Sequence, residues 1–205
     1  GVDPYSLDGS MERTMEQITK LALDNNKGID IHLHEMGESG IKTIEFLIDR
    51  TLENPALKGK AFVSHAFALS RLTNVEAEKV AARLAEAGVG IVSSVPFGNM
   101  IMPIPTLRKH GVEVLVGNDN IQDHWNTFGS GNMLQKANLI AELYGYGTEF
   151  GLSRALAFAT RYKLPLDNQG NQQWPKVGDE TSMVFVDASC SAEAVSRISP
   201  VTSLL

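Results

Sequence analysis

Cysteine is almost absent from this chain, which has one cysteine, Cys190, among its 205 residues. A lone cysteine excludes a disulfide framework within the chain and is typical of proteins from a reducing compartment. The sequence also has no apolar run near the roughly 20 residues that a membrane-spanning helix needs, and no amino-terminal signal pattern. These absences predict a cytoplasmic protein with no membrane partner.

The chain also has fewer positively charged than negatively charged residues. The 18 Lys and Arg residues are outnumbered by 24 Asp and Glu residues, so the formal net charge at pH 7 is −6. That balance argues against nucleic acid as the main partner and favours a small-molecule ligand. The hydrophobic content of 43% is enough for one sizeable core, or for one domain plus part of another.

The stretch IDIHLHE, residues 29–35, alternates apolar and polar side chains. This period-two pattern predicts a strand with one apolar face, while His32 and His34 lie on the polar face and Glu35 follows at the strand end. Two imidazoles and a carboxylate at the carboxyl end of a strand suit a metal-assisted active site. The alternative is a solvated sheet face that carries surface histidines.

Along the chain, predicted strands alternate with predicted helices. A helix over 11–22, capped by Asp8 or Ser10, precedes the strand at 29–35. The further strands are predicted at 60–65, 90–95, 112–116 and 182–187, and the further helices at 41–52, 74–87, 104–111, 133–144 and 152–162. The helix at 74–87 is expected to be capped by Asn74, and the turn-rich residues 163–179 read as a linker.

Four β/α units at this spacing predict half of a (β/α)8 TIM-type barrel, since eight units take about 250 residues. We therefore expect an α/β chain with two domains: residues 1–165 as the second half of a barrel, and residues 166–205 as a linker and the start of a flanking β domain. A Rossmann-like open sheet is the competing α/β interpretation. It lacks support because no Gly-x-Gly-x-x-Gly turn follows a strand.

Chemically active side chains fall at the carboxyl ends of three predicted strands. His65 ends the second strand, and Asp119 follows the fourth in the sequence Gly-Asn-Asp-Asn. In a β/α barrel the catalytic groups sit at this end of the strands. His32, His65 and Asp119 are therefore expected to contribute to one site.

Several stretches, taken in order, resemble the amidohydrolase superfamily and its cytosine-deaminase-like group over nearly the whole chain. The matching stretches are DIHLHE at 30–35, VSH at 63–65, GNDN at 117–120 through Trp125, and GSGNMLQ at 129–135, followed by YGYG at 144–147, VGD at 177–179 and VFVD at 184–187. Their order and their places at strand ends make the resemblance specific.

The resemblance implies a role for each residue of the site. His32 and Asp119 would be ligands of one divalent metal, Fe²⁺ or Zn²⁺, and Asp119 would also be catalytic by accepting a proton from the attacking water. Glu35 would be the acid/base that shuttles protons, and His65 would hydrogen-bond the attacking water or the intermediate. His34, together with Asn120 and Trp125, would contact the substrate in its pocket; these three complete the expected site.

The implied reaction is hydrolytic deamination of an amino-substituted nitrogen heterocycle, such as a cytosine-like pyrimidine. A metal-activated water would attack the ring carbon that bears the amino group, and ammonia would leave. His34 stands where the cytosine enzymes carry an acid, and Asn120 where they carry a second aspartate. An amide donates as well as accepts hydrogen bonds, so these departures point towards another heterocycle.

Two alternatives remain open at this stage. One is an amidohydrolase that releases a larger N-substituent from a heterocycle with the same site chemistry. The other is a catalytically incomplete barrel fragment, because the family's first strand supplies a His-x-His pair that this chain lacks once His32 and His34 are placed on the fifth strand. We expect the missing barrel half to come from the same or another chain, and the assembly to be a homo-oligomer.

Overall fold

The computed structural model describes residues 1–5, 9–124 and 126–205, which divide into two compact units, 1–114 and 115–205. The first helix, α1, spans Met11–Asp24 and is capped by Ser10, whose hydroxyl accepts a hydrogen bond from the backbone N–H of Arg13. Asp8, the other residue predicted to cap this helix, lies outside the described residues.

A parallel sheet organises the first unit. Its strands lie in the order in which they occur along the chain: β1 (Ile29–Leu33), β2 (Ala61–His65), β3 (Val89–Ser93) and β4 (Val114–Val116). β1 pairs with β2 and β2 with β3, both in parallel, so each connection must be a crossover. This sequential parallel order is the one that the predicted barrel half requires.

Helices make those crossovers. They are α2 (Gly37–Glu53), α3 (Asn74–Ala87) and α4 (Ile104–Lys109). The core between sheet and helices is apolar, and its largest fully buried side chains include Met15, Ile31, Leu33, Ile44, Leu47, Ile48, Leu84 and Ile91. Burial of side chains of this size contributes roughly 1.5–3 kcal/mol each, so the core fixes the strands whose ends carry the candidate site.

The buried face of α2 differs from the predicted one. Ile44 and Ile48 are buried as predicted, whereas Leu52 is 41% exposed and Thr43 and Thr51 take buried positions. The two threonine hydroxyls donate to backbone carbonyl oxygens one helical turn earlier, at 3.0 and 2.8 Å. Because these hydrogen bonds satisfy the hydroxyls, the two threonine side chains can be buried without the free-energy cost of an unpaired polar group.

The cap of α3 also differs from the expectation. Thr73, not Asn74, is the N-cap: its hydroxyl accepts from the backbone N–H of Glu76, and the Glu76 carboxylate accepts from the backbone N–H of Thr73 at 2.8 Å. This reciprocal capping box satisfies two backbone donors that a single cap would leave to water. The Thr73 hydroxyl, which donates to the Glu76 carboxylate at 2.7 Å, and the Thr73 backbone N–H together lower the pKa of Glu76.

The second unit contains α5 (Met133–Tyr144), α6 (Glu149–Thr160), β5 (Val184–Val186), α7 (Ser191–Arg197) and β6 (Val201–Leu204). The bounds of α5 match the predicted helix, whereas α7 and β6 were not predicted. The three helices pack through a small-residue core of Ala137, Ala141, Ala155 and Val195. β5 and β6 pair antiparallel. The domain boundary expected between residues 165 and 166 stays a prediction.

None of the helices in the described part of the chain is long and apolar enough to cross a membrane.

Candidate active site

The carboxyl ends of β1 and β2 bring histidines from two strands next to each other. Ile31 and Leu33 of β1 are fully buried, so the alternation leaves His32 exposed on the opposite face. The strand register places Leu33 of β1 opposite His65 of β2. Because β1 and β2 run in parallel and end at the same level, their histidines lie at one edge of the sheet.

Ring contacts tie the three histidines together. The ring centroid of His65 lies 4.3 Å from that of His34 and 5.2 Å from that of His32. His65 is only 5% exposed, whereas His32 and His34 are exposed. Phe67 packs on the cluster with its ring centroid 5.4 Å from that of His65. The arrangement is one buried imidazole that supports two accessible ones.

The strand ends also carry unusual backbone. His65 has a φ of +69° and Ala66 one of +51°, after β2; Val95 has a φ of +58° beyond β3, and Asp119 one of +57° beyond β4. A residue with a Cβ in the left-handed region costs on the order of 1–3 kcal/mol, and such outliers concentrate at functional sites. Their positions just after strands support a functional role for the residues at the strand ends of each unit.

Glu35 occupies the turn between β1 and α2. Its Oε2 atom is buried and has no hydrogen-bond partner among the described residues. The chain can pack so closely here because residue 40 is a glycine: a Cβ there would lie 2.3 Å from the Glu35 carbonyl oxygen and 2.6 Å from the Ala68 Cβ. Gly40 thereby lets the first turn of α2 close over Glu35.

Asp30 stands behind His32 on the same face of β1. Its Oδ1 atom accepts a 2.8 Å hydrogen bond from the Ser64 hydroxyl, and its Oδ2 atom lies 3.7 Å from Nε2 of His32. A carboxylate beside one ring nitrogen orients an imidazole and leaves the other nitrogen to a ligand. Asp30 and Ser64 are site residues that the sequence analysis did not assign, although the alternation of 29–35 already placed Asp30 on the correct face.

This arrangement predicts that Asp30→Asn weakens metal binding by the complete protein by about 10- to 100-fold, the usual cost of losing a carboxylate behind a metal-binding histidine. Asparagine keeps an acceptor for Ser64 but removes the charge near His32. Competition with a chelator would measure the affinity. The matched control is Asp24→Asn, which removes an exposed carboxylate of α1 that pairs with Lys20. This variant should bind the metal as tightly as the parent. Equal affinities for the two variants would contradict the role of Asp30.

In the second unit, Asp119 and Asn120 lie on a loop whose residues form hydrogen bonds with one another. The side-chain amide of Asn120 donates to Oδ2 of Asp123 at 2.6 Å, and the Asp123 carboxylate also accepts from the backbone N–H of Asn126. Lys136 on α5 is buried, and burial lowers its pKa while the charge of Asp119 opposes that shift. Asp119 is exposed, and its negative charge acts on the buried Lys136.

The imidazoles of the first unit are donors that fit a divalent transition metal. The buried Oε2 atom of Glu35, which has no hydrogen-bond partner among the described residues, fits a group that exchanges protons with water. Among residues 1–5, 9–124 and 126–205, however, no three His, Cys, Asp or Glu side chains are grouped so that they could hold a metal ion by themselves. The metal roles of His32 and Asp119 remain predictions, as do the roles of His34, Glu35, His65 and Asn120. Trp125, expected in the substrate pocket, lies outside the described residues.

Comparisons with known sequences agree on one family. The model of the amidohydrolase family matches residues 3–164. The uncharacterized protein YahJ of Escherichia coli K12 is 46% identical over 203 residues, which are 99% of this chain and 44% of that protein. The N-isopropylammelide isopropyl amidohydrolase of Pseudomonas sp. ADP is 30% identical over 137 residues, 67% of this chain and 34% of that protein. The chain thus spans under half the length of the curated relatives it matches.

Solved structures give the same fold. N-isopropylammelide isopropylaminohydrolase from Burkholderia multivorans superposes with a TM-score of 0.81 at 28% identity, over 100% of this chain and 52% of that one. The 5-methylcytosine deaminase from Klebsiella pneumoniae gives a TM-score of 0.80 at 20% identity, over 100% and 53%, which is a likeness of fold alone. The predicted fold class, a partial β/α barrel of the metal-dependent hydrolase type, is confirmed, and the chain belongs to the amidohydrolase family.

Proposed function

We propose that the complete protein is a metal-dependent hydrolase that removes the amino group from an amino-substituted nitrogen heterocycle, a cytosine-like pyrimidine or a related ring. One observation carries the proposal: His32, His34 and His65 cluster at the carboxyl edge of the parallel sheet, and Glu35 follows in the turn after β1, in a chain of the amidohydrolase family. This edge is where β/α barrels place their catalytic groups.

One divalent metal, Fe²⁺ or Zn²⁺, would supply a Lewis acid that activates water near neutral pH. His32 and Asp119 are the residues of this chain that would hold it. An imidazole and a carboxylate do not select between the two ions. Further ligands are needed, and we propose that they come from the other barrel half, in the same protein or in a partner chain. A homo-oligomer remains the expected assembly.

The chain's own residues would handle protons and orientation. Asp119 would accept a proton from the attacking water, and Glu35 would shuttle a proton to the leaving amine. His65, held by its ring contacts, would donate a hydrogen bond to the oxygen on which charge develops. Asn120 and His34 would hydrogen-bond the ring edge of the substrate, and Trp125 would line the pocket.

A second candidate is hydrolysis that releases an alkylamine in place of ammonia. It is favoured by the two relatives named as isopropylammelide hydrolases, which are 30% and 28% identical to this chain and are more similar to it than the deaminase structure is. The same residues would act in the same steps, since only the group on the leaving nitrogen differs. A third candidate is a catalytically incomplete chain that acts only with a partner. It follows because His32 and Asp119 alone are too few ligands for the metal.

Product analysis tests the proposal and separates these candidates. The complete protein, loaded with iron or zinc, would be incubated with cytosine, 5-methylcytosine and N-isopropylammelide, and the released ammonia and isopropylamine would be quantified. Ammonia release from the pyrimidines supports the deaminase, and isopropylamine release supports the second candidate. Release of neither amine by a protein shown to carry its metal would contradict both.

A further inference from the structure

The amino-terminal segment, residues 1–5, lies along the free edge of β1. The backbone N–H of Val2 donates to the carbonyl oxygen of Asp30 at 3.1 Å, and the carbonyl oxygen of Val2 accepts from the N–H of His32 at 2.9 Å. Val2 therefore forms a parallel bridge opposite Ile31. This pairing places the next residue, Asp3, beside the carboxyl end of β1, where the histidines are.

The carboxylate of Asp3 is held at one oxygen and faces a histidine with the other. Its Oδ1 atom accepts from the backbone N–H of Tyr5 at 3.0 Å, and its Oδ2 atom lies 3.4 Å from Nδ1 of His34. The Tyr5 hydroxyl in turn contacts Oγ1 of Thr43 on α2 at 3.1 Å. The segment is thus anchored to β1 on one side and to α2 on the other, which fixes the direction of the Asp3 carboxylate.

We propose that Asp3 is a positioning residue for His34 and that the pair determines which substrate edge the site accepts; this inference rests on the proposed function. A neutral imidazole carries one N–H and one lone pair, and a carboxylate can only accept. At 3.4 Å the Asp3 carboxylate favours the tautomer of His34 that carries its proton on Nδ1, which leaves Nε2 as an acceptor. The ring of His65 packs against this imidazole, at 4.3 Å between centroids.

This tautomer selects the chemical class of the substrate. An accepting Nε2 pairs with an N–H group, so the favoured ligand is a nitrogen heterocycle that presents a ring N–H or an exocyclic amine to His34. A ring edge with only lone pairs would face the lone pair of Nε2 and be disfavoured, because two facing acceptors repel and form no hydrogen bond.

The tautomer can be measured without any substrate. ¹⁵N-histidine labelling of the complete protein and long-range ¹H–¹⁵N spectra distinguish the Nδ1–H from the Nε2–H form, with His34→Gln assigning the signal. We expect Nδ1–H in the parent. In Asp3→Asn the side-chain oxygen can still accept from Tyr5, so the turn persists, but an NH₂ group faces His34 and donates to Nδ1. We therefore expect the Nε2–H form in that variant and return of Nδ1–H in Asp3→Glu.

Kinetics with cytosine and N-isopropylammelide test the consequence. For whichever probe the parent turns over, Asp3→Asn should raise KM by about tenfold, the effect of one mismatched hydrogen bond, with little change in kcat. An unchanged tautomer in Asp3→Asn, or a fall in kcat at constant KM, would overturn the inference. If the parent turns over neither probe, the proposed function fails, and the tautomer spectra still decide the role of Asp3.

Discussion

Replacing Glu35 with glutamine in the complete protein is expected to lower kcat by about 100-fold or more, within the 10²- to 10⁴-fold range of general acid–base catalysis. Glutamine has nearly the same shape as glutamate but cannot take a proton from water or give one to the leaving amine. The metal content should not change, because Glu35 is not an expected ligand. Steady-state kinetics and metal analysis of the same preparation would measure both quantities.

The matched control is Glu38→Gln, which removes an exposed carboxylate from the first turn of α2, three residues along the chain. Any general effect of charge at this helix terminus would appear in both variants. We expect Glu38→Gln to retain the kcat of the parent. A Glu35→Gln enzyme whose kcat stays within a few-fold of the parent would show that Glu35 is not the proton shuttle.

Replacing His32 with glutamine is expected to remove the metal from the complete protein and to reduce turnover by more than about 100-fold, beyond the usual effect of losing a residue behind a ligand. His32 is exposed, and its neighbours Ile31 and Leu33 carry the buried face of β1, so the variant should unfold at nearly the temperature of the metal-free parent. Metal stoichiometry by mass spectrometry, activity and thermal unfolding would be measured together.

His110→Gln supplies the control for His32→Gln. His110 caps the end of α4 and contacts the Glu78 carboxylate, which lowers the pKa of Glu78, and it lies outside the histidine cluster. Losing one contact at the surface has little effect on stability, so this variant should keep both metal and activity. A His32→Gln protein that retains its full metal content would remove His32 from the ligand set.

Much of the fold is readable from local sequence patterns. The alternation IDIHLHE gave the strand β1 because one face packs on an apolar core and the other does not. The bounds of α5 were predicted from its helical pattern, and they agree with local signals in the structure: Asn132 caps its start and Gly145, with a φ of +72°, ends it. Both signals are local, so neither depends on where the rest of the chain lies.

Other elements depend on contacts that a sequence pattern does not contain. Thr43 and Thr51 are buried on α2 because their hydroxyls bond within the helix, which a count of apolar residues cannot register. The strand β6 consists of four exposed residues, Val201–Leu204, and its pairing with β5 across α7 supplies its hydrogen bonds. Pairing between distant residues, not burial, defines that strand.

In the candidate site, too, some residues follow from local sequence patterns and others depend on contacts between distant residues. His32, His34 and Glu35 could be predicted because the alternation and the strand end place them. Asp3 could not, because its approach to His34 depends on the bridge between Val2 and Ile31, two residues far apart in the sequence. An Asp-Pro pair in a short loop is most often a turn, and Asp3 does make a turn with Tyr5 as well.

The central claim is that this sheet edge belongs to a metal-dependent site that cleaves an exocyclic carbon–nitrogen bond. The most direct test is amine release by the complete protein from cytosine, 5-methylcytosine and N-isopropylammelide, before chelation, after chelation, and after Fe²⁺ or Zn²⁺ is returned. We predict turnover of at least one compound that chelation abolishes and that one of the two ions restores in the parent but not in His32→Gln. Turnover that persists in the fully metal-free protein would contradict the account.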